Sequence, residues 1–107
     1  MIRAEFFVQD DFLNGFTVSG HAGAAEKGED IVCAAVSSAA YMTANAVTEA
    51  VGDAAKSSVD EERGELRLSI DKKQLEACRM VMDGFYLHMR SLEMQYPENI
   101  RLIRTEV

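Results

Sequence analysis

A chain of 107 residues makes one domain, large enough for a single hydrophobic core and too small for two. With 48% hydrophobic and 27% charged residues it has the composition of a soluble globular protein, and no apolar run approaches the roughly 20 residues of a membrane span. Eighteen acidic residues against eleven basic ones give a formal charge of −7, which argues against a phosphate-binding face and favours a cationic partner, although solubility alone also accounts for an acidic surface.

The N-terminus, residues 1–11, reads as a strand and lacks the length and flanks of a signal peptide, so a cytoplasmic location is expected. Residues 2–8 alternate, with Ile2, Ala4, Phe6 and Val8 on one face, the period-2 pattern of a half-buried strand. Gln9, Asp10 and Asp11 supply turn chemistry, and residues 12–19 return as an antiparallel strand. Asn14-Gly15 is either a bulge in that strand or the hairpin turn itself. Either way the strand delivers His21 to the end of a sheet.

Residues 22–30 read as a loop. Gly20, Gly23 and Gly28 permit positive φ or a close backbone approach, which suits an ordinary surface connection or a flap that closes over a bound peptide. Asp30 is the expected N-cap of a helix over residues 31–51. Cys33 then falls in the first turn, where free amides and the helix dipole favour a thiolate. Val32, Val36, Ala40, Val47 and Val51 form the core stripe, and Gly52 is the stop. Ser37 lies one turn after Cys33 on the same face. Its hydroxyl can serve a histidine or a substrate group, or bond back to the carbonyl four residues earlier.

A second hairpin follows, with residues 53–60 and 65–70 flanking an acidic turn that reads as a solvated tip; Leu66, Leu68 and Ile70 share a face. Asp71 and Gln74 resemble a capping box opening a second helix of roughly 25 residues, about 37 Å long. Leu75, Cys78, Met82, Phe85, Met89, Leu92 and Tyr96 recur at steps of three and four, and Pro97 ends the run. Cys78 belongs to this apolar stripe and His88 lies off it. The last strand, residues 99–106, alternates through Ile100, Leu102 and Arg104. The expected fold is therefore α+β in the order ββαββαβ, a mostly antiparallel sheet with two helices on one face. Apolar residues such as Phe7 and Ile103, taken as exposed, suggest a homodimer.

Only two cysteines are present, which makes no disulfide framework, and His21 and His88 are too far apart to complete a metal site; no metal or cofactor is expected. A cysteine at a helix start and a histidine able to reach it across a glycine-bearing loop are the minimum parts of a nucleophile–base pair. The bland alternative is a small buried side chain in an alanine-rich helix.

The run GHAGAAEKGEDIVCAAVS, together with YPENI near the end of the chain, resembles the signature of the ribosomal-processing cysteine proteases of bacteria, and the similarity covers the whole sequence. That resemblance implies a cysteine endopeptidase that removes the N-terminal extension of large-subunit ribosomal protein twenty-seven, with Cys33 as nucleophile, His21 as general base, a flexible loop between them and a homodimeric assembly. Amides at the start of the first helix would stabilise the oxyanion. Asp30 would cap the helix and secondarily orient His21. The competing functions are a non-enzymatic adaptor that docks on a ribosomal protein, and a redox-sensing thiol at Cys33, which needs a resolving thiol in reach.

Overall fold

Alternation of apolar and polar side chains builds the first hairpin. The computed structural model describes residues 1–20 and 27–107, and of residues 27–30 the backbone alone. Strand β1 (Ile2–Gln9) buries Ile2, Ala4, Phe6 and Val8, and β2 (Phe12–Ser19) buries Leu13, Phe16 and Val18. The turn between them is Asp10-Asp11, both left-handed with φ of 52° and 67°. Aspartate tolerates that conformation because its short polar side chain can bond locally, and two such residues match the twist of a tight hairpin. Asn14-Gly15 is therefore the bulge: the register passes from Phe7 opposite Gly15 to Val8 opposite Leu13, leaving Asn14 as the extra residue. Gly15 is required where it stands, since a Cβ there would collide with the carbonyl of Leu68.

Strands β3 (Ala55–Asp60), β4 (Glu65–Ile70) and β5 (Ile100–Glu106) complete a five-stranded sheet in the order β3-β4-β2-β1-β5. All pairs are antiparallel except β1 with β5. Helices α1 (Lys27–Val51) and α2 (Arg79–Gln95) pack on one face, so the α+β reading and its element order hold. At the centre, Phe6, Phe16 and Phe85 meet with ring centroids 4.8 to 6.0 Å apart. Tyr86 adds an edge contact to Phe6 at 5.0 Å. Such pairs each contribute roughly 0.5–1.5 kcal/mol beyond area burial.

Four expectations change. First, α1 begins at Lys27 and not at residue 31, so Asp30 is its fourth residue and no N-cap, and Gly28 lies in its first turn and not in a loop. Second, the helix expected from Asp71 is shorter. The Asp71 carboxylate accepts from the Lys73 amide at 3.1 Å, and the Gln74 amide donates to the Asp71 carbonyl at 2.9 Å. This closes a 3-10 turn at Lys72–Gln74, and the 17-residue α2 follows only at Arg79. Leu75 and Cys78 stay buried because the intervening turn keeps them over the core. Third, Ile31–Ala54 is long and apolar enough by length and composition to cross a membrane. In the fold it is mostly the core helix, with Val32, Val36, Ala40, Ala44 and Val47 buried. Fourth, Phe7 and Ile103 are half-buried rather than exposed. On the sheet, the Glu5 carboxylate accepts from the Thr105 hydroxyl at 2.7 Å.

Candidate active site

Antiparallel pairing brings the ends of β2 and β3 and the starts of β1 and β4 to the same end of the sheet, where the first half of α1 crosses. The result is a cleft of about 270 Å³. Cys33, Ser37 and Tyr41 form one wall, four residues apart and hence on one face of the helix. Val59 and Asp60 of β3, the tip residues Glu61 and Gly64, and Glu65 of β4 form the other. Ile2, Val18, Val36, Ala40 and Leu66 make an apolar floor, and Gly20 lines the cleft where the chain leaves β2.

Within this cleft Cys33 is partly buried against the core yet still reaches solvent, and Ser37 is exposed. Thr43 and Thr48 of the same helix bond back to carbonyls four residues earlier, at 2.8 and 2.9 Å. Among the described residues no such bond engages the Ser37 hydroxyl, and the residue lines the cleft. Gly20 has φ of +85°, and a Cβ there would collide with the Met1 carbonyl. Its glycine requirement is thus met by the fold itself, at the base of the cleft.

The early start of α1 alters the electrostatics expected at Cys33. Cys33 is the seventh residue of the helix, about 9 Å beyond its start at 1.5 Å per residue. Its amide is committed to the helix ladder, and the dipole effect falls off within the first turn. The free amides of α1 therefore lie more than a turn away from Cys33, and the oxyanion role expected of them does not follow. His21 and Gly23 lie outside the described residues. Cys78, by contrast, is 2% exposed on the stripe facing the core, and burial pushes its thiol pKa up. Among the described residues no three His, Cys, Asp or Glu side chains come together as a metal site.

Sequence reasoning missed the second wall. The hairpin tip read as mere solvated turn, yet Asp60, Glu61 and Glu65 face the same cleft as Cys33. Arg63 and Arg67 neutralise two of them, Arg63 sitting 3.8 Å from Asp60 and Arg67 3.0 Å from Glu65. Among the described residues Glu61 and Glu62 have no such partner. No local pattern marks these positions, because only the strand register sets Val59 opposite Leu66 and brings the tip beside α1.

The family model described as cysteine protease Prp matches residues 1–101. The ribosomal processing cysteine protease Prp of Bacillus subtilis (strain 168) is 28% identical over 97 residues, 87% of each chain. That of Staphylococcus aureus (strain Mu50) is 29% identical over 104 residues, 95% of this chain and 97% of the other. Among solved structures, the essential ribosomal processing protease Prp from S. aureus in complex with a substrate peptide superposes with a TM-score of 0.87 at 24% identity, covering 98% of this chain and 100% of that one. SMU.848 from Streptococcus mutans gives 0.85 at 28% identity, covering 100% and 96%.

Proposed function

The chain belongs to the cysteine protease Prp family, and on that footing we propose that it is a ribosomal-processing endopeptidase in which Cys33 is the nucleophile and His21 the general base. The carrying observation is that Cys33, partly exposed, opens on a cleft also lined by Gly20, the residue immediately before His21. In the proposed reaction His21 accepts the thiol proton as Sγ attacks the scissile carbonyl. The tetrahedral adduct collapses, the peptide C–N bond breaks, and His21 returns the proton to the leaving amine. Water, deprotonated by His21, then cleaves the thioester and regenerates the thiol.

Ser37 is the best-placed helper, being exposed one turn along the same wall. Asp30 precedes Cys33 by three residues, a spacing that makes helical neighbours, and is proposed to orient His21. Gly23, and Gly28 at the opening of α1, are proposed to let a substrate main chain lie close. The substrate proposed is the precursor of large-subunit ribosomal protein twenty-seven, in keeping with the ribosomal-processing relatives. A charge of −7 and an acidic cleft rim suit a cationic ribosomal protein. A cytoplasmic homodimer is proposed with it, on the resemblance to the family, since the half-buried Phe7 and Ile103 offer less apolar surface than an exposed pair would.

The test is incubation of wild type, Cys33→Ala and His21→Ala with that precursor, read by intact mass. A single cut by wild type, with either variant slowed at least ~10³-fold, is expected. A precursor left whole by folded, reduced wild type would overturn the reading and favour an adaptor that binds without cutting.

A further inference from the structure

We infer that Tyr41 of α1 and Val59 of β3 form a remote subsite that selects an aliphatic or aromatic side chain of the peptide three to four residues from the bond that is cut. The inference rests on the protease reading and extends it from the reacting bond to what lies beside it. Tyr41 and Val59 are 44% and 51% exposed, and both line the cleft that holds Cys33. Their exposure is set by the fold. Val59 pairs with Leu66 and so shares its face of the sheet, yet Leu66, on the inner strand β4, is 7% exposed while Val59, on the edge strand β3, is left bare. The other exposed residues of β3 (Lys56, Ser57, Ser58 and Asp60) are polar, so Val59 stands alone in presenting apolar surface.

Spacing turns this patch into a position along the substrate. Tyr41 lies eight residues beyond Cys33 on the same helix face, about 12 Å along the axis at 1.5 Å per residue. An extended peptide advances about 3.3 Å per residue. A chain whose carbonyl meets Cys33 and which runs along α1 therefore brings the side chain three to four residues away between Tyr41 and Val59. Ser37 lies midway, where a polar group can meet the peptide backbone. The Tyr41 ring supplies contact area with little conformational freedom to lose, and its hydroxyl keeps the rim wetted.

The experiment uses the full chain and a peptide panel spanning the cleavage site. Each position from the fourth before the bond to the fourth after it is set in turn to Leu and to Asp, and kcat/KM is measured for wild type, Tyr41→Ala and Tyr41→Phe. The Leu-to-Asp ratio within one enzyme cancels any general loss of folded protein. Wild type should prefer Leu by about tenfold or more at a position three or four residues from the bond. Tyr41→Ala should reduce that ratio to about twofold, and Tyr41→Phe should keep it. A ratio unchanged in Tyr41→Ala, or a preference confined to residues adjoining the bond, would overturn the subsite. Binding of the same peptides to Cys33→Ala protein separates the two claims. If wild type cuts nothing the protease reading fails, while a Tyr41-dependent Leu preference in binding still supports the subsite and its absence refutes it.

Discussion

Two thiols in one small chain are divided by placement rather than by identity. Cys33 shares a cleft with Ser37 and Tyr41, whereas Cys78 is 2% exposed and burial raises its thiol pKa. A pKa raised in the folded state means that burying the neutral thiol favours folding fully below the unfolded value, about 8.5, and that this contribution is lost as pH climbs through the raised one. Iodoacetamide at neutral pH should therefore modify one thiol per folded chain, at Cys33, and reach Cys78 only after denaturation. Mass mapping checks this, and fast labelling of Cys78 in the native protein would contradict its burial. At this scale the proposed nucleophile was legible in the sequence, because the whole run from Gly20 to Ser37 is contiguous and specific. Tyr41 and Val59 were not, since neither carries a local signal and only the β3–β4 register makes them neighbours of one cleft.

At the scale of elements, periodicity located every strand and both helices, because burial on one face dictates the spacing of apolar side chains. The ends were less legible, since they depend on which of several polar groups takes a free amide. Asp71 and Gln74 have the spacing of a capping box, but the Asp71 carboxylate chose the Lys73 amide and the chain closed a 3-10 turn before α2. Asp71→Ala should then cost about 1 kcal/mol of stability. Gln74→Ala should cost only a few tenths, because no reciprocal bond depends on its side chain. Denaturant melts of the two variants decide this, and equal losses would restore the capping box. The start of α1 at Lys27 has the larger consequence for chemistry. It places Cys33 in the second turn, so in the proposed mechanism the thiol is activated by side chains beside it rather than by the helix end.

For the whole molecule, the sheet order explains why the site is where it is. Four strand ends converge beneath the first half of α1, leaving a cleft with a buried apolar floor between the helix and the β3–β4 tip. Composition alone had assigned the tip to solvent, and the acidic excess to solubility or to a cationic partner. The fold brings Asp60, Glu61 and Glu65 to the rim of the cleft itself, where negative charge bears on what enters. The central claim is that Cys33 forms a covalent bond to the substrate within that cleft. Its most direct measurement is acid quench of wild type early in turnover with a cleavable peptide, followed by intact mass and peptide mapping. The account predicts an acyl adduct on Cys33, carrying the fragment N-terminal to the cut and absent from Cys33→Ala. Cleavage that persists in Cys33→Ala, or an adduct carried elsewhere in the chain, would contradict it.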